Sequence, residues 1–193
     1  MNKTISVLMV GVGGQGIVLA GNVLCSAAMY AGYDVKKSEI HGMAQRGGSV
    51  VSHVRFGEKV FSPVIPQGGA DYLISFERIE YLRYLSYVSQ NTTLILNSRR
   101  ILPPGVAMGT QSYPDEIIER EKSRFATGVE FDADDLALQA GNAKAASSVM
   151  LGKLAEFLDI SAEAWMKAMQ DNIPAKLIEV NDKAFKKGLA HKA

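Results

Sequence analysis

Residues 11–16 read GVGGQG, a Gly-x-Gly-x-x-Gly turn that follows the apolar run at 5–10 and leads straight into Ile17, Val18, Leu19 and Ala20, with Leu24 and Ala28 continuing at helical spacing. Strand, glycine turn and helix in that order give the pattern its meaning. Glycines let backbone N–H groups approach an anion, and the helix that follows turns its positive end toward it. The same spacing also suits a turn that only bends tightly and packs a helix close to a sheet. Both readings are open at this point, and both predict a first βα unit: a strand over 5–10 and a helix over about 14–30, ended by Gly32.

The rest of the chain repeats that alternation. A second strand is expected over 33–40, and the polar, glycine-bearing segment SEIHGMAQRGGS at 38–49 reads as a loop. Residues 49–56 alternate in character, and Gly57-Glu58 is expected to turn them back into 59–65 as an antiparallel hairpin. Apolar strands are predicted at 70–77 and 92–98, with a short helix carrying Ile79, Leu82 and Leu85 between them. Pro114 should start a charged helix to Arg124, and 128–131 should be a last short strand. Helices then follow over 143–158, over 162–172 behind a Ser161 cap, and from Pro174 onward. The expected fold is α/β, a doubly wound, Rossmann-like, mostly parallel sheet with an inserted β-hairpin and a helical C-terminal third, in one domain over 1–193.

Composition removes several classes of function. The 193 residues carry 21 basic and 20 acidic side chains, a formal charge of +1, with no Lys/Arg block, so no nucleic-acid partner is indicated. Cys25 is the only cysteine, which excludes an intrachain disulfide and a four-cysteine iron–sulfur site built by this chain alone. Its apolar helical setting suits a small buried hydrophobe. His41, His53 and His191 lie at no ligand spacing, so no metal site is expected. No charged side chain occurs from Thr4 to Tyr33, but the glycines at 11, 13, 14 and 16 would break a membrane-spanning helix, and the run continues directly into the first βα unit. The expectation is a cytoplasmic protein with no membrane contact.

With strands one and two running in the same direction, the loops that leave them share one sheet edge, where open α/β sheets bind ligands. The candidate ligand- or partner-binding residues are therefore Gly11, Gly13, Gly14, Gln15 and Gly16 from the turn, and Ser38, His41, Gln45, Arg46, Gly47 and Gly48 from the following loop. Arg46 with Gly47-Gly48 offers a guanidinium and backbone donors suited to phosphate or carboxylate, or else an arginine bracing its own loop. A dinucleotide site would also need an acid at the end of strand two. Asp34 stands at the strand's beginning and Glu39 late, a poor match that counts against a stand-alone NAD(P)-binding oxidoreductase. Asn97-Ser98-Arg99-Arg100 leaves another strand on the same edge, and Asn142 reads as an N-cap. No nucleophile-and-base set is present, so no catalytic residue is assigned, and a non-catalytic interaction module is a further reading.

Three stretches, VGVGGQGIVLAG at 10–21, SEIHGMAQRGGSVVSHVRFG at 38–57 and AGNAKAASSVMLG at 140–152, together resemble the gamma-type domain of 2-oxoacid:ferredoxin oxidoreductases. HGMAQRGG within the middle stretch looks most like the indolepyruvate branch. Ser147-Ser148 departs from the pattern, since related chains often carry Asn there. The resemblance implies an accessory subunit of a complex that oxidatively decarboxylates a 2-oxoacid, an aryl pyruvate such as indolepyruvate, to an acyl-CoA. It implies thiamine diphosphate, iron–sulfur clusters and coenzyme A for the complex, none assigned to this chain. The implied partners are a larger catalytic subunit holding the thiamine diphosphate and clusters, and ferredoxin, reached through the complex.

Overall fold

The computed structural model describes residues 4–42 and 48–192. Among these, six strands form one sheet in the order β2-β3-β1-β4-β5-β6: β1 (Ile5–Val12), β2 (Asp34–His41), β3 (Ser49–Gly57), β4 (Tyr72–Ser75), β5 (Thr93–Asn97) and β6 (Thr127–Phe131). β1, β4, β5 and β6 are parallel neighbours, while β3 runs antiparallel to both β1 and β2. The helices are α1 (Ile17–Tyr30), α2 (Pro104–Ala107), α3 (Asp115–Lys122), α4 (Ala133–Ala140), α5 (Ala146–Ala155), α6 (Ala162–Asn172) and α7 (Ala175–Ala190), with a 3₁₀ segment at Glu80–Tyr87.

Alternation along the central strands divides the core. Val7, Met9, Ile74 and Ile95 face α1 and the C-terminal helices, where Trp165 and Phe185 close the packing. Leu8, Val10, Leu73, Leu94 and Leu96 face the 3₁₀ segment and α3, with Tyr81 and Phe125. Cover on both faces is why β1 and β5 read as continuous apolar runs rather than alternating ones. α1 ends as its sequence suggests. Gly32 takes φ 87°, its N–H donates to Met29 O at 3.0 Å, and the Tyr33 N–H reaches Ala28 O at 3.1 Å.

The predicted hairpin partner is corrected. Residues 59–65 form no strand; β3 instead pairs with β2 across the 42–48 connection and slots between β2 and β1. Both sides of β3 are then occupied, and Pro63 and Pro66 cannot supply ladder donors. The 59–65 segment is held by side chains: the Ile65 N–H donates to His53 Nδ1 at 3.3 Å, and the Arg55 guanidinium donates to the Ser62 and Val64 carbonyls. Smaller corrections fall at element ends. α1 begins at Ile17, Pro114 is the N-cap of α3, and a 3₁₀ turn at Ala143–Ala145 precedes α5.

Candidate functional site

β1 ends at Val12, and the chain turns through Gly13–Gly16 into α1. The left-handed backbone falls at Gly14 (φ 97°) and Gly16 (φ 80°). At Gly16 a second constraint is added, because a Cβ there would lie 2.9 Å from Ser147 Oγ on α5. Gln15 does not point away as a free ligand: its Oε1 accepts the Val12 N–H at 2.7 Å and its Nε2 donates to the Phe76 carbonyl at 2.8 Å, tying the turn to the end of β4. Gly11 is packed beneath it, with Gln15, Ile17 and Phe76 all within 3 Å of where its Cβ would be.

The turn borders two hollows. On the β4–β5 side lies a cleft of about 540 Å³, lined by Gly14, Gln15, Gly16, Asn97, Arg99, Asp134, Lys144 and Ser147 among others. It sits where the connections from β1 and β4 diverge to opposite sides of the sheet, the place where open α/β sheets take ligands. On the other side is a groove of about 450 Å³ lined by Ile17, Val18, Leu19, Asn22 and Val50 with the glycines.

The polar wall of the cleft is built from ends of elements. Asn97 closes β5, is 2% exposed, donates through Nδ2 to Phe76 O and Asp134 Oδ2, and accepts the Ala133 N–H. Asp134 also accepts from Arg99 at 2.7 Å. Next to the cleft, the buried Glu77 carboxylate accepts the N–H groups of Ile79, Glu80 and Ile101 and the Tyr113 hydroxyl, locking the loops after β4 and β5 together. Arg78 beside it is held by Glu130, Asp115 and Glu119. Burial works to raise the Glu130 carboxyl pKa, but Lys122 and Arg78 hold it below the usual carboxylate range.

Of the sequence candidates, the five turn residues are brought together at this edge, and the Gly13 N–H donates to Gly48 O at 2.8 Å, which draws the end of the 42–48 connection onto the turn. Gln45, Arg46 and Gly47 lie outside the described residues. His41 ends edge strand β2, half-exposed, with Nε2 3.5 Å from Glu39. Ser38 is not on a loop. It lies mid-β2 opposite His53, on the sheet face away from α1 and separated from the turn by β3. Glu39 is engaged by Lys37 at 2.6 Å. The second-strand acid of a dinucleotide site is therefore doubly missing, since β3 rather than β2 adjoins β1 and the one late carboxylate already has a cation. Sequence reading missed the cleft positions of Lys144, Ser147 and Asp134; the Asn142 cap that accepts the Lys144 N–H was the only local signal for the first, and Asp134 comes from the first turn of α4. Nothing in the sequence marked Glu77 as a brace.

Residues 6–191 match the family model for pyruvate ferredoxin/flavodoxin oxidoreductase. The chain belongs to that family. It is 40% identical over 195 residues to a protein of Pyrococcus horikoshii, indolepyruvate oxidoreductase subunit IorB, with 97% of this chain and 95% of that one covered. Among solved structures, the gamma subunit of a keto/oxoacid ferredoxin oxidoreductase from Geobacter sulfurreducens superposes with a TM-score of 0.72 at 25% identity, covering 95% of each chain. The fold also matches part of a 2-oxoglutarate:ferredoxin oxidoreductase from Magnetococcus marinus that has coenzyme A bound, with a TM-score of 0.75 at 19% identity over 98% of this chain and 31% of that one.

The pyruvate ferredoxin/flavodoxin oxidoreductase family implies iron–sulfur chemistry, and this chain's residues do not fit a cluster. Its one thiol, Cys25, is turned into the α1 packing, where burial pushes its pKa up to about 11. Among the described residues no three His, Cys, Asp or Glu side chains gather as a metal site. No helix of the described residues is long and apolar enough to cross a membrane.

Proposed function

We propose that this chain is the accessory subunit of a 2-oxoacid:ferredoxin oxidoreductase that oxidises indolepyruvate or a similar aryl pyruvate to its acyl-CoA. The observation that carries the reading is the 40% identity to an indolepyruvate oxidoreductase subunit over nearly the whole of both chains. The larger partner holds the thiamine diphosphate and the clusters, in keeping with a single, half-buried cysteine here. The edge formed by the 11–16 turn and the connection that ends at Gly48 faces the partner's active site or takes the phosphates of coenzyme A. This chain contributes binding and shape rather than a reacting group.

Arg46 tests that assignment in the reconstituted complex. A charge-assisted contact to phosphate is worth roughly 1.5 to 3 kcal/mol, so Arg46→Ala should raise the KM for coenzyme A about tenfold or more and leave the oxoacid KM nearly unchanged. Loss of assembly with coenzyme A dependence intact would instead make Arg46 a brace of its own loop.

A further inference from the structure

We infer that the open edge of β2 is an interface between two copies of this chain, paired antiparallel about a two-fold axis at Ser38. Among the described residues β2 is hydrogen-bonded on one side alone, to β3, and every residue from Asp34 to His41 keeps unbroken register with it. The sheet's other edge, β6, is five residues long against eight for β2. No proline or bulge guards β2, the usual means by which an edge refuses another strand. Ile40 lies 60% exposed on it. The interface runs along the side of the sheet and stands whether or not the 11–16 turn meets coenzyme A.

The direction of the free backbone groups decides how a second strand can sit. The Gly42 N–H donates to Ser49 O at 2.9 Å. Bonded and non-bonded pairs alternate along an antiparallel ladder, so from that pair onward the even-numbered residues of β2 bond to β3. Val35, Lys37, Glu39 and His41 turn their N–H and C=O groups outward. A two-fold axis at Ser38 sets these outward residues against one another, Lys37 opposite Glu39 of the second copy and Val35 opposite His41 of the second copy. It also keeps the α1 faces of both copies on the same side, so the two sheets continue as one.

Charge selects that axis. Lys37 and Glu39 share the α1 face with Val35, partly exposed and 2.6 Å apart. They stand at equal distance from Ser38 and carry opposite signs, so the two-fold gives each a counter-charge in the second copy. An axis at Lys37 or at Glu39 would instead set like charges directly opposite, which is destabilising. The Ser38 axis is also the one that engages all of the outward residues. On the other face the Lys36 stem lies against the exposed Ile40 of the second copy.

Sedimentation velocity of the purified full chain over a concentration series tests the interface. The parent should dimerise. Lys37→Glu and Glu39→Lys should each weaken the dimer about tenfold or more, because both symmetric pairs become like-charged. The two substitutions combined should restore it, with melting curves showing that every variant stays folded. Ser38→Cys should give a disulfide-linked dimer on mild oxidation, since residues facing each other at the axis lie about 4.5 Å apart between Cα atoms. Lys36→Cys should not, because the two copies of residue 36 stand apart, each opposite Ile40. A parent that stays monomeric, dimers indifferent to the charge reversals, or cross-linking of Lys36→Cys equal to that of Ser38→Cys overturns the inference. Capture of this edge by a strand of another protein would leave the isolated chain monomeric and counts against it equally.

Discussion

At the scale of single residues, a half-buried thiol and a buried imidazole report on the interior. Burial of Cys25 in the α1 packing pushes its thiol up to about 11, so at neutral pH the reactive thiolate is nearly absent. Iodoacetamide should label the native chain far more slowly than the unfolded chain, and rapid native labelling would contradict the packing. His53 is 3% exposed, accepts the Ile65 N–H through Nδ1, and meets the Tyr87 ring edge-on. Burial depresses its pKa below the ordinary 6.5. The unfolded chain therefore binds the proton first, and the stability that neutral His53 contributes is complete above about pH 6.5 and drains away as pH falls through the lowered folded value. The melting temperature should drop between pH 7 and pH 5, and His53→Gln should flatten that slope.

At the scale of elements, α5 and α7 cross where glycine meets backbone: a Cβ on Gly152 would lie 2.0 Å from Phe185 O, and one on Gly188 would lie 1.9 Å from Val149 O. Neither neighbour is a side chain that can swing aside. Gly152→Ala should cost about 3 kcal/mol or more by forcing the helices apart, read as a lowered denaturation midpoint. The same scale shows what pattern alone conveys. β1, β5, α1 and the C-terminal helices are legible because their periods and caps are local, as with Gly32, Asn142 and Ser161. The partners of β3 were not, because pairing is decided by which edges remain open. A strand over 59–65 looked equally good locally until β1 and β2 took both sides of β3.

At the scale of the whole molecule, the two walls of the cleft differ in how far sequence shows them. The glycine turn was readable from its strand and helix, whereas the opposite wall of the cleft comes from residues more than a hundred positions away, on α4 and the turn into α5. Their spacing carries no periodic signal, and Ser147 is placed in the wall only by its packing against Gly16. Ser38 misled for the opposite reason, since a polar residue near a glycine-rich segment reads as loop although β2 runs on to His41. The family match and the relatives, which are subunits of oxoacid oxidoreductases, make this chain a subunit of a ferredoxin-dependent 2-oxoacid oxidoreductase. The most direct measurement is purification of the tagged chain from its native host, with iron, sulfide and thiamine diphosphate analysis and an assay of coenzyme A-dependent indolepyruvate oxidation with an artificial electron acceptor. A larger cysteine-rich chain should co-purify, carrying all the iron and thiamine diphosphate and the activity, while the separated small chain should show neither iron–sulfur absorbance nor turnover. Oxoacid turnover by the small chain alone, or its recovery with no such partner, would contradict the account.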